Sequence, residues 1–336
     1  MLKSLLDKSF SLSRLGRLWL DGLCAALCEA ARTVSYVETV SNKADTLHKA
    51  VGLVDERWLK RSYELELRKA LKRFGLKRVK LAIDTNKDAY YGEERFYTRG
   101  SKFERGTDQV WEYVQLSIVW PIRIPLMALP YPQGKRLADL CIELLGFAQS
   151  LPLRIDAVFF DRGFYNAQLI DFLEARRIKY CIFVPKDKAI KRYVEQTTRK
   201  IGVYKHTFAY AKAKSVWKPR TTIVVCKEAG TNKKGEPYDM IFATNLKPSF
   251  SLVREYKQRW NIETGFRVQN EGKIKTKSNH PLIRLFYFLL RCLLTLLWTL
   301  NNTTKTELSY KQYLKAIEQD LKKNQVYKPP SIIPTY

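Results

Sequence analysis

Acidic residues are few in this chain: 33 Asp and Glu stand against 60 Lys and Arg over 336 residues, a formal charge of +27. A compact state with that excess repels itself, so a polyanionic partner is expected. The basic residues are spread along the sequence rather than gathered in one block, which favours nucleic acid over an acidic membrane surface. Histidine is scarcer still, with His48, His206 and His280 only. Cysteine occurs six times, at 24, 28, 141, 181, 226 and 292. Cys24 and Cys28 lie one helical turn apart, but no second pair and no nearby histidine completes a zinc site. The cysteines read as small core-filling residues in a reducing cytoplasm.

The N-terminal MLKSLLDKSF lacks the uninterrupted apolar stretch of a secretory signal. One segment, LIRLFYFLLRCLLTLLWTL (282–300), has the length of a membrane span, but Arg284 and Arg291 sit seven apart on one helical face. An arginine at mid-bilayer costs at least ~2.5 kcal/mol, so the segment reads as a buried helix whose basic edge faces solvent or DNA, not as a span.

Residues 1–78 read as helical, a candidate DNA-binding domain. Leu and Ala recur at helical spacing in SRLGRLWLDGLCAALCEAA, VSYVETVSNKADTLHKAVG holds two short helices, and Asp55 caps a basic helix that stops at Gly75. From Val79 the period changes. KRVKLAIDT reads as a strand ending at Asp84, and WEYVQLSIVW (111–120) with PIRIPLMALPY (121–131) as a hairpin pair. A helix over 134–151, the strand DAVFFD ending at Asp161, a helix over 164–177 and the strand KYCIFVP (179–185) come next.

The order β-β-β-α-β-α-β predicts an α/β fold with an RNase H-like mixed sheet flanked by helices, first part 79–185. In such a sheet the first and fourth strands are neighbours, which brings Asp84 near Asp161 at one edge. Residues 186–248 read as a β-strand insertion, with 11 Lys or Arg against 2 acids between Pro185 and Arg220, the composition of a phosphate-facing surface. The core resumes over 249–303, with a helix that carries Glu263 and the helix after it, and 304–336 form a C-terminal helix and tail.

The segment YKQRWNIETGFRVQN (256–270) reads as one helix. At 3.6 residues per turn Tyr256, Glu263, Arg267 and Asn270 share a stripe, with Arg259 beside it. Asp84, Asp161 and Glu263 meeting in a basic protein is the arrangement that holds divalent metals against a phosphodiester. Each carboxylate has a plainer reading too: a turn or cap for Asp84, a helix N-cap for Asp161, and i,i+4 ion pairs with Arg259 and Arg267 for Glu263. Trp260 reads either as a base-stacking surface or as ordinary core.

The segments LAIDT, YYG, FFDRGFY and YKQRWNIETGFR resemble those of DDE transposases of insertion sequences, in the group with a YREK signature. Tyr256, Arg259 and Glu263 match that signature in spacing, while its final Lys position holds Asn270. The resemblance spans roughly residues 79–300. It implies a catalytic, metal-binding triad of Asp84, Asp161 and Glu263, with two Mg²⁺ (or Mn²⁺) ions as cofactor. It further implies cleavage at element ends and then strand transfer, and a homodimer assembled on double-stranded DNA (terminal inverted repeats and target). Arg162, Tyr256, Arg259, Trp260, Arg267 and Lys273 are the candidate DNA contacts, with Arg267 or Lys273 supplying the cation that Asn270 lacks. The location it implies is the prokaryotic cytoplasm, at the nucleoid, with no membrane. The rival readings are a nuclease of the same fold without strand transfer, an inactive DNA-binding derivative, and a membrane protein built on 282–300. Tyrosine recombination is disfavoured, since three histidines provide no convincing Arg-His-Arg-Tyr set.

Overall fold

The computed structural model describes residues 36–40, 44–104, 106–208, 218–232, 234–304 and 307–323. The Leu- and Ala-rich N-terminal segment with Cys24 and Cys28, and the Pro-rich tail, lie outside the described residues. Two compact units are present: Leu76–Glu263 form one, and the described residues before Leu76 join those after Glu263 in the other. In chain order the elements are α1 (Val37–Val40), α2 (Ala44–Gly52), α3 (Glu56–Phe74), β1 (Arg78–Tyr90), β2 (Arg99–Glu104), β3 (Thr107–Trp120), β4 (Ile124–Pro130) and α4 (Leu137–Gln149). They continue with β5 (Arg154–Phe160), α5 (Ala167–Ala175), β6 (Tyr180–Phe183), α6 (Lys188–Gln196), β7 (Ile201–Thr207), β8 (Arg220–Thr231) and β9 (Pro237–Thr244). The last four are α7 (Ser251–Lys257), α8 (Trp260–Glu271), α9 (Pro281–Thr304) and α10 (Tyr310–Lys323).

The Leu76–Glu263 unit is built on one mixed sheet of nine strands, ordered β2-β3-β1-β5-β6-β9-β8-β7 with β4 also paired to β3. Its centre has the expected RNase H-like arrangement: β1 runs antiparallel to β3 and parallel to β5, and β5 runs parallel to β6. The central strands are apolar on both faces, as strands covered on both sides must be: Leu81, Ala82 and Ile83 of β1 and Val158, Phe159 and Phe160 of β5 are all fully buried. Phe159 meets the ring of Tyr256 and Phe160 meets that of Phe164, so the pleat sends alternate side chains into different clusters.

Two bulges sit at one level of β1. Val79 pairs with Ile155 but Lys80 with Ala157, which leaves Asp156 out of register and held by Arg78. On the other side Lys80 pairs with Trp120 but Leu81 with Ile118, which leaves Val119 out of register. The Val119 carbonyl is then available to the Asn261 side-chain amide, which donates to it at 3.0 Å and ties the start of α8 to β3.

One expectation changes. The strand expected to end at Asp84 continues to Tyr90, because β3 keeps pairing with it through Gln109. The 186–248 segment carries the strands β7, β8 and β9 after an opening helix, α6, and β9 returns antiparallel onto β6, so these strands extend the central sheet. Asp156, the first residue of the segment read as a strand, is the bulged residue inside β5, which begins at Arg154.

In the helical unit the expected boundaries of α3 are those its caps impose. The Asp55 side chain accepts from the Trp58 N–H at 2.7 Å, and Gly75 closes the helix at φ 63°, where a side chain would be strained. Residues 264–323 belong with these helices rather than with the sheet, a grouping that the linear pattern does not announce. α9 packs against α3 and α2. It is long and apolar enough to cross a membrane by length and composition, yet most of it is buried within the fold. The expectation of a basic edge facing solvent or DNA is corrected for Arg291. It is 1% exposed, lies over the Phe288 ring and donates to the Asn270 Oδ1 at 3.1 Å.

Candidate active site

The parallel register of β1 and β5 places the first two carboxylates. The last paired residues are Ile83 and Phe160, so Asp84 in β1 and Asp161, directly after β5, come next. Asp161 is released from the plainer role of a cap. The 3₁₀ turn Arg162–Phe164 has no side-chain cap bond from it, and the N-cap of α5 is Asn166, which accepts from Gln168 and Leu169. Asp84 accepts from the Thr85 N–H at 2.8 Å.

The third carboxylate arrives on a pair of helices where the sequence pattern predicts a single one. α7 ends at Lys257 and α8 begins at Trp260. Between them the backbone tightens to i→i−3 bonds, with Arg259 N–H donating to the Tyr256 carbonyl at 2.8 Å and Ile262 N–H to that of Arg259 at 2.9 Å. Three residues per turn instead of 3.6 rotates α8 about its axis relative to α7, so the stripe predicted for a continuous helix does not form.

The break has a direct consequence for Tyr256. Expected at the DNA, it is 2% exposed and packs against Phe159, Phe183 and Phe242, while its hydroxyl donates to the Phe160 carbonyl at 3.2 Å. Burial pushes that hydroxyl far above the usual tyrosine range. The role visible here is to fasten the end of α7 to the strand that delivers Asp161.

Arg259 also departs from expectation. Its guanidinium, 6% exposed, reaches no open surface; it bridges two of the carboxylates. One Nη donates to Asp84 at 2.7 Å and the other to Glu263 at 2.6 Å. Burial disfavours its charge, but Tyr256, Asp84, Asp161 and Glu263 outweigh that and hold it protonated. The i,i+4 spacing from Arg259 to Glu263 was legible in the sequence; the link to Asp84, 175 residues away, was not.

Of the other predicted DNA contacts, Arg162 is exposed with its guanidinium over the Phe183 ring, and Trp260 is 47% exposed, between the two readings given to it. Arg267 is exposed on α8 and Lys273 is half-buried beyond its end, both within the helical unit. Asn270, at the position where a lysine was expected, serves Arg291 as an acceptor. Asn270→Lys is therefore expected to lower stability by ~1–3 kcal/mol, the cost of depriving a buried donor of its partner, rather than to raise activity. Asn270→Asp, which keeps the acceptor, should unfold near the wild-type midpoint, and urea titrations of the three proteins check this.

Burial raises the Asp84 carboxyl to about 6, against the pull of Arg259 and the Thr85 N–H and with added push from Asp161 and Glu263. The folded chain thus binds a proton more tightly than the unfolded chain does. The stability this contributes is full below the ordinary carboxyl pKa and is lost as pH rises through about 6. Subtracting the pH profile of Asp84→Asn from that of wild type, in chelator between pH 5 and 7.5, should leave a stability difference that falls with pH. A flat difference would contradict the assignment.

Among the described residues, no three acidic, histidine or cysteine side chains stand close enough together to hold one metal ion. The donor set nevertheless suits a hard divalent cation, since it consists of carboxylate oxygens and includes one, Asp84, whose ionised form is disfavoured by burial and like charge. A cation bound there would take over the neutralising role that Arg259 fills.

Comparison with known proteins adds two findings. Residues 134–294 match the family model described as a transposase DDE domain, which takes in Asp161 and Glu263 and begins after Asp84. Among solved structures the fold is similar to that of a piggyBac transposase in a synaptic complex with hairpin DNA. The TM-score is 0.58 at 12% identity, over 94% of this chain and 74% of that one. No curated protein matches the sequence.

Proposed function

We propose, from the premise that residues 134–294 are a transposase DDE domain, that the chain is the transposase of an insertion sequence. It would cut DNA at the element ends and join the freed 3′-hydroxyl to target DNA. The observation that carries this is the position of Asp84 and Asp161, each one residue beyond the last pair of the parallel β1–β5 ladder, with Glu263 tied to Asp84 through one guanidinium. Two divalent ions, Mg²⁺ or Mn²⁺, held by these three carboxylates would supply the charge and the activated oxygen that phosphodiester displacement needs.

The chain's own residues set the conditions for that chemistry. Rigid strands position two of the carboxylates, and the Tyr256–Phe160 and Asn261–Val119 bonds fix the helix pair that presents the third. Arg259 stabilises the carboxylates before metal arrives. Arg162, exposed beside Asp161, is placed to meet a phosphate, and Trp260 offers half of its ring to a base.

The test is a Mg²⁺-dependent cleavage and joining assay on DNA carrying the element's flanks, with Glu263→Gln as control. Cutting and joining by wild type alone supports the reading. Cutting without a joined product makes the chain a nuclease of the same fold, and binding without cutting by either protein makes it a DNA-binding derivative.

A further inference from the structure

A groove of about 860 Å³ lies in the sheet unit, well away from the carboxylates. Its floor is the face of β7 and β8 that carries Lys205, Arg220 and Thr222, and its walls are the end of α5 at Glu174 and the loop after β9 at Asn245–Pro248. The sheet fixes its place. β5 and β6 end near Asp161, whereas Thr244, the last residue of β9, pairs with Cys181 near the start of β6. The Tyr180 N–H donates to Asn245 at 3.0 Å, Thr222 pairs with Thr244, and Thr207 pairs with Arg220. The groove therefore opens at the sheet edge opposite Asp161. β7 stands five strands from β1, roughly 24 Å across the sheet at ~4.8 Å per strand.

Cations outnumber acids in it by three to one. Lys205, Arg220 and Lys247 are exposed in it, and none of them is ion-paired among the described residues. Arg176, Arg177 and Lys179 are exposed in the turn between α5 and β6, whose Ile178 carbonyl accepts from the Asn245 amide at 2.9 Å. The one acid in the lining, Glu174, accepts the Tyr180 hydroxyl at 2.8 Å. By contrast, Lys186 and Lys227 elsewhere in the same region are paired with Asp239. Threonine hydroxyls and a side-chain amide stand between the cations and can donate to phosphate oxygens, while Val203, Leu246 and Pro248 form the apolar part of the lining.

We propose that this groove is a second, sequence-independent track for the phosphate backbone of double-stranded DNA, separate from the catalytic edge. It rests on the transposase reading and adds to it. DNA held at the active edge can continue around the unit or be joined by another segment, and the groove takes that segment by charge alone.

The experiment is fluorescence anisotropy of a labelled 30-base-pair duplex of arbitrary sequence, titrated with the full chain at several KCl concentrations. Three cations are removed in Lys205→Ala/Arg220→Ala/Lys247→Ala. The slope of log K against log salt is expected to become shallower by about 2–3, at ~0.9 for each phosphate no longer neutralised. The charge-keeping variant Lys205→Arg/Arg220→Lys/Lys247→Arg should retain the wild-type slope, which separates charge from fold. An unchanged slope in the alanine variant, or an equal loss in the charge-keeping one, overturns the proposal while wild-type binding leaves the transposase reading standing. Absence of salt-dependent binding by wild type overturns both. Poly-glutamate bound by wild type and released by the alanine variant, with the DNA slope unmoved, assigns the groove to an acidic protein and overturns it as well.

Discussion

Replacing Arg259 with methionine is expected to destabilise the metal-free chain by ~3 kcal/mol, at the lower end of the range for breaking a buried ion pair by removal of one partner. Methionine keeps much of the aliphatic volume, so the loss is one of charge. Asp84, with 17% of its side chain exposed, would then face Asp161 and Glu263 without the cation 2.7 Å away that now neutralises it. The Glu263 arm of the bridge contributes little, because that side chain is 55% exposed and water screens it. The informative part of the experiment is the response to metal. If the carboxylates are a divalent site, Mg²⁺ should restore part of the lost stability, by up to ~2.7 kcal/mol at a concentration ~100 times its dissociation constant. Wild type, which already has a counter-charge in place, should gain less. Urea unfolding in chelator and in Mg²⁺ gives all four values, and a variant as stable as wild type in chelator would show that the bridge is not what holds Asp84.

Asp161→Asn should have the largest effect on activity. The side chain makes no cap bond, so the amide, equal in size, disturbs no packing, and the fold and the affinity for DNA should survive. What disappears is one of three negative charges at the site. Loss of a partner outside the ligand set of a metal site costs ~10–100-fold in affinity or activity, so if Asp161 is a metal ligand as proposed, its loss should exceed that and abolish detectable cleavage. Gel-shift and cleavage assays on the same DNA separate the two properties. Cutting by Asp161→Asn at the wild-type rate would remove Asp161 from the catalytic set.

The parts of this fold that were legible from sequence are those written in local pattern. The apolar runs of β1 and β5, the Asp55 cap and the Gly75 stop of α3 depend on neighbours within a few residues, and the structure places them as expected. Adjacency of Asp84 and Asp161 was also legible, because strand order comes from the order of elements once a mixed sheet is assumed. What the sequence hid was decided by tertiary contact. Nothing within YKQRWNIETGFR marks a tightened turn at Gln258 and Arg259. The turn is imposed where Tyr256 must reach Phe160 and Asn261 must reach Val119. The same applies to Arg291, whose burial beneath Asn270 overrides the preference of an arginine for water. The return of β9 onto β6 is a non-local pairing that no strand pattern announces.

The bulge at Asp156 gives the chain an unusual relation to insertion and deletion. Val79 pairs with Ile155 before it and Lys80 with Ala157 after it, so Asp156 is a residue the ladder does not use. Deleting Asp156 would close the two paired stretches into one regular ladder and leave every later pair, up to Ile83 with Phe160, as it is. Asp161 would still follow the last pair, and what would be lost is the bond from Arg78. The strand thus carries one residue of slack upstream of the site, a loose link that can be taken up without moving what hangs from its far end.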